Sequence, residues 1–118
     1  MAIRSLLALL LTTTGAIAGE ADVVEVEVSR IGDGQYRFDV TVQHGDTGWD
    51  HYADAWDVLT PGGTVLDTRV LAHPHVDEQP FTRSKTVQVP NGVRQVIVRA
   101  RDSVHGEGGR TIEVSLPK

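Results

Sequence analysis

Val24-Glu25-Val26-Glu27-Val28-Ser29 runs into Gly32-Asp33-Gly34 and then Tyr36-Arg37-Phe38-Asp39-Val40-Thr41-Val42-Gln43, so apolar and polar residues alternate on both sides of a glycine turn. Successive side chains of an extended backbone point to opposite faces, so this period of two gives each strand one apolar face. Glycine supplies the positive φ that a tight hairpin turn requires. The stretch is expected to be an antiparallel hairpin with Val24, Val26, Val28, Tyr36, Phe38, Val40 and Val42 on the buried side.

The same grammar continues downstream. A loop from about His44 to Ala53 leads to a third strand with Trp56 and Val58 facing inward, and Pro61-Gly62-Gly63 turns it into a fourth carrying Leu66, Thr68 and Val70 on one side. A second loop, about Ala72 to Pro80, precedes a fifth strand, Phe81 to Val89. Pro90-Asn91-Gly92 turns that into a sixth with Val96, Val98 and Ala100 inward, and a loop from Asp102 to Gly109 leads to Ile112, Val114 and Leu116. No stretch after the first 18 residues has convincing helical periodicity. Seven short strands predict an all-β fold, a seven-stranded antiparallel sandwich of immunoglobulin or fibronectin type III kind, with a small barrel as the competing architecture. Trp56 suits the large aromatic that such sandwiches bury between their sheets.

Residues 1–18 are read separately. Arg4, the apolar run Ser5 to Leu11 and the small-x-small Ala16-Ile17-Ala18 have the form of a secretory signal peptide, with an apolar run too short to span a bilayer. Cleavage after Ala18 leaves one domain, residues 19–118, exported to a periplasm or secreted, with no membrane insertion. The sequence contains no cysteine, so disulfides, thiolate metal sites and a thioether lipid anchor are not expected. The net charge is −5, and becomes −6 without Arg4, the only charged residue ahead of Gly19. An acidic chain without a basic run is not expected to bind nucleic acid.

The five histidines are the most informative chemistry. His44 and His51 fall in the first long loop, His73 and His75 in the second, His105 in the third, and none in a strand. Consecutive antiparallel strands alternate in direction, so these three loops are expected at one end and the three glycine turns at the other. In His73-Pro74-His75 the two imidazoles can face one ion, and Pro74 limits the backbone freedom lost in holding them. The expected metal ligands are His51, His73, His75 and His105, with Asp77 and Glu78 ligating or orienting an imidazole and Asp50 and Asp102 as further groups that orient one. His44 ranks last because it abuts the second strand. Imidazole and carboxylate without sulfur suit zinc or copper(II), and an exported location favours copper. The alternative is a hydrogen-bonded histidine network that pins the loops of a structural or protein-interaction domain. Trp49 and Tyr52 beside His51 either close the end as a lid or anchor a protein or small ligand there. No nucleophile elbow, phosphate-cradling loop or His-Glu-x-x-His helix is present, so the chain is not expected to be an enzyme.

The segments Gly48-Trp49-Asp50-His51-Tyr52-Ala53-Asp54-Ala55-Trp56, His73-Pro74-His75-Val76-Asp77-Glu78-Gln79-Pro80-Phe81-Thr82-Arg83-Ser84 and Asp102-Ser103-Val104-His105-Gly106 resemble a family of small exported bacterial β-sandwich proteins. The resemblance covers nearly all of residues 19–118. It implies the sandwich and the export, and brings no activity with it.

Overall fold

The computed structural model describes residues 19–118, so the segment read as a signal peptide lies outside the described residues. Seven strands form: β1 (Asp22–Gly32), β2 (Gln35–Gln43), β3 (Ala53–Leu59), β4 (Val65–Val70), β5 (Phe81–Gln88), β6 (Gln95–Asp102) and β7 (Ile112–Ser115). They pair antiparallel in two sheets, β1-β2-β5 and β4-β3-β6-β7, rather than closing into one barrel. β4 joins the sheet of β3, β6 and β7, which departs from the constant-type immunoglobulin partition, where the fourth strand lies with the first, second and fifth. No helix among the described residues is long and apolar enough to cross a membrane.

The inner faces of the two sheets form the core. Phe38, Val40 and Val42 of β2 meet Trp56 and Val58 of β3 and Val96, Val98 and Ala100 of β6, all buried. On β1 the alternation holds only after a bulge. The register with β2 slips between Val23 and Glu25, so Val23 is fully buried while Val26 and Val28 pack on the core from partly exposed positions. A strand cannot turn residues 23 and 26 to one face without such an extra residue, and Val24 is that residue. The expected inward row on β4 breaks after Leu66, which packs on the core. The register with β3 slips between Val58 and Leu59, so Thr68 and Val70 lie opposite Asp57 and Ala55, where Thr68 bonds Asp57 and Val70 is exposed.

The strand directions place the β2–β3, β4–β5 and β6–β7 loops at one end, and these loops bond to one another. Ser103 N–H donates to Tyr52 O (2.9 Å), Tyr52 N–H to Ser103 Oγ (3.1 Å), and His75 N–H to Asp46 Oδ2 (2.8 Å). A bulge at Asp54, between Ala53 and Ala55 in the register with β6, sets Ala53 opposite Asp102 and so fixes where β3 meets the loop end. None of the five histidines lies in a strand.

Candidate metal centre

The site begins with the period-two rows of two strands continuing beyond their apolar residues. On β2 the inward row Phe38, Val40, Val42 runs on to His44 and Asp46, and all five are buried. On β6 the inward row Val96, Val98, Ala100 ends on Asp102, also buried. β2 and β6 belong to opposite sheets, so an imidazole from one and a carboxylate from the other meet at the end of the shared core. His51 reaches them from the β2–β3 loop. Its position is set by a short bridge in which Thr47 N–H donates to His51 O (3.0 Å) and His51 N–H to Gly48 O (3.2 Å).

The three side chains converge closely. His44 Nε2 is 3.2 Å from His51 Nε2 and 3.9 Å from Asp102 Oδ2, and His51 Nε2 is 2.8 Å from the same oxygen. Donor atoms bound to one ion at about 2 Å lie roughly 3–4 Å apart; the 3.2 and 3.9 Å separations fall in that range, and the 2.8 Å one is a hydrogen bond that an ion would replace. The side chains of His44 and Asp102 are 0% exposed and that of His51 is 16% exposed.

Asp46 orients His44. Its Oδ1 accepts from His44 Nδ1 at 2.6 Å and from Ala53 N–H at 2.9 Å, and its Oδ2 accepts from His75 N–H at 2.8 Å. A carboxylate that holds one imidazole nitrogen directs the other, with its lone pair, into the site. The Gly19 carbonyl oxygen approaches the same Nε2 at 3.0 Å.

Asp102 is used unevenly. Its Oδ2 takes contacts from His51 Nε2, Val104 N–H (3.2 Å), His105 N–H (3.0 Å) and His105 Nδ1 (3.0 Å), within a turn closed by reciprocal Asp102–Gly106 bonds that the positive φ of Gly106 permits. Its Oδ1 is buried and has no hydrogen-bond partner. Burial pushes the Asp102 carboxyl up, but the His105 amide and ring, the Val104 amide and His51 outweigh it and hold it below the usual carboxylate value. The group is therefore an anion with one lone-pair-bearing oxygen uncommitted, which suits a cation.

The residues expected at the site separate into two groups, and Asp102, expected only to orient an imidazole, lies among the convergent donors. His51 and Asp102 are in the convergent set, and His105 touches it through Asp102, with its ring centroid 5.1 Å from that of His51. His73 and His75 are not brought to it. Their rings lie together, 4.6 Å between centroids, as the His-x-His spacing predicts. One nitrogen of each, however, is employed elsewhere: His73 Nδ1 is 3.0 Å from Pro74 O, and His75 Nε2 accepts from Arg83 Nη2 at 2.8 Å while its ring stacks on Phe81 at 3.8 Å. Asp50, Asp77 and Glu78 are exposed. His44, last in rank on sequence grounds, is the most central of the five, and Asp46 is not among the expected site residues. The signal for both was the β2 alternation carried past Gln43. Trp49 does not close the end as a lid, since it is 68% exposed and edge-on to Tyr52.

No protein-family model matches the chain, and no solved structure matches it. A protein of Halomicrobium mukohataei named "Putative lipoprotein" is 45% identical over 95 residues, which cover 80% of this chain and 47% of that protein. The chain thus spans about half the length of the curated relative it matches.

Proposed function

We propose that this protein is an exported, non-catalytic β-sandwich of the fibronectin type III kind that holds one divalent transition-metal ion, zinc or copper(II), at His44, His51 and Asp102. The observation that carries the reading is the buried convergence of two imidazole nitrogens on a carboxylate that keeps one oxygen unpartnered. The donor set is nitrogen and oxygen, as a chain without cysteine requires. Its enclosure supports a structural or carrier role, because catalytic sites keep a coordination position open to substrate. The name of the Halomicrobium relative supports an exported location. A protein or small ligand at the loop end is the partner this reading allows.

A second reading is favoured by other contacts at the same end. His75 with Arg83, and Gln79 bridging His44 N–H (3.0 Å) and His75 O (3.0 Å), form a hydrogen-bonded clasp between the first two loops. On this reading the His44 group is a clasp as well.

Metal analysis of protein recovered from the exported fraction separates the two. The metal reading expects about one zinc or copper per chain, lost in a His44→Ala/His51→Ala variant and retained in His73→Ala. Substoichiometric metal in all three proteins, with no binding of added zinc or copper, would overturn it. Affinity should weaken below about pH 6, since imidazole ligands must shed their protons to bind.

A further inference from the structure

We propose that the backbone carbonyl of Gly19 is a fourth donor to the ion at His44, His51 and Asp102, so that ion binding and docking of the segment ahead of β1 form one equilibrium. The inference rests on the metal reading above. Its starting point is a contact that a neutral His44 ring cannot make as a hydrogen bond. His44 Nδ1 faces Asp46 Oδ1 at 2.6 Å, and a carboxylate can only accept, so Nδ1 carries the ring proton. In the neutral ring Nε2 is then a lone pair, and the atom 3.0 Å from it is the Gly19 carbonyl oxygen, which brings lone pairs of its own. His51 Nε2 and Asp102 Oδ2 lie 3.2 and 3.9 Å from the same nitrogen. Two acceptors facing each other repel, and a cation placed among them turns that repulsion into attraction. Backbone oxygen is a known weak ligand of copper sites that also use imidazole.

Packing delivers Gly19 to this position. Ala21 is buried, Arg110 N–H donates to Asp22 Oδ1 at 2.7 Å, and Val23 N–H donates to Arg110 O at 2.8 Å. The segment runs against Gly109, where a Cβ would overlap the Ala21 carbonyl oxygen. Gly109 is therefore the slot that lets residues 19–21 lie across the β6–β7 loop and reach His44. Linkage is reciprocal, so whatever factor the docked segment adds to ion affinity, the ion adds to docking. The ion would then fasten the entry to β1 and the end of β2, which pair with each other through Asp22 and Gln43, to the end of β6 in the opposite sheet.

Two measurements test this on the intact exported chain. In protein labelled with carbonyl-13C glycine, zinc titration should shift the Gly19 carbonyl resonance in step with the ring signals of His44 and His51. A Gly109→Val variant keeps every side-chain ligand but displaces the segment, and should bind zinc about 10-fold or more weakly. Ring signals that shift while Gly19 does not would overturn the proposal and leave the metal reading standing, whatever Gly109→Val does. Ring and carbonyl signals that all ignore zinc and copper would overturn the metal reading, and this proposal with it. Should Gly109→Val fail to fold, the wild-type titration decides alone.

Discussion

At His75 the two ring nitrogens have unequal circumstances. Nε2 accepts from Arg83, whereas Nδ1 is buried without a partner, so the ring sits as a neutral imidazole stacked on Phe81. Burial, then the positive charge of Arg83, then His73, hold its pKa below the ordinary histidine value of 6.5. A histidine whose folded pKa is depressed binds fewer protons folded than unfolded. Its contribution is therefore intact above about pH 6.5 and is lost as pH falls below that value toward the folded pKa. A His75→Gln variant keeps an acceptor for Arg83 and removes the titration. Its stability, followed by denaturant unfolding from pH 7.5 to 5, should fall less steeply below pH 6.5 than that of the wild type. An acid limb of unchanged slope would mean that His75 is not the group responsible.

At the scale of elements, the sheet β4-β3-β6-β7 carries a polar row across three strands. Thr68, Asp57 and Arg99 occupy one register line, with Thr68 Oγ1 2.6 Å from Asp57 Oδ1 and Arg99 Nε 3.0 Å from Asp57 Oδ2. Asp57 is buried, so removing its cation leaves a charge out of water with a hydroxyl as its remaining side-chain partner. Breaking a fully buried pair costs about 3–5 kcal/mol. The Arg99 side chain is 27% exposed, so solvent screens the pair and Arg99→Ala should cost less, about 2 kcal/mol. Urea unfolding of that variant checks the figure, and a loss within a few tenths of a kcal/mol would show that water replaces the guanidinium.

The same strands show what the sequence made legible. Alternation and glycine turns were sufficient for seven strands and for the end at which the histidine loops gather, because both depend on local backbone rules. The bulges at Val24 and Asp54 were not legible: neither is marked by glycine or proline, and each is set by pairing with a distant strand. For the site, adjacency to a strand weighed against His44, yet that adjacency carries it. A residue two places beyond Val42 faces the core when the chain stays extended, and the same step beyond Ala100 gives Asp102. His73 and His75 satisfied the spacing rule, but spacing says nothing about a nearby arginine that takes the nitrogen. The Gly19 carbonyl offers no side chain to read at all.

Across the whole molecule, the His44 group sits where the two sheets are joined only by side-chain packing and loops. A ligand that binds the folded chain and ignores the unfolded one stabilises by about 2.7 kcal/mol at a hundredfold excess over its Kd. For a domain of about 100 residues each kcal/mol moves Tm by about 4–8 °C, so zinc or copper at that excess should raise Tm by on the order of 10–20 °C. A chelator should reverse the shift. Because the ligands come from opposite sheets, the gain belongs to global unfolding and should appear in a single cooperative transition. His73→Ala should show the full shift, since its ring is engaged with Pro74 O outside the convergent set. His44→Ala should lose it, and in wild-type protein it should shrink at pH 5, where protons compete with the ion for imidazole lone pairs. An equal shift in wild type and in His44→Ala would place the ion elsewhere on this acidic chain, and the joining of the sheets would then rest on packing and hydrogen bonds alone.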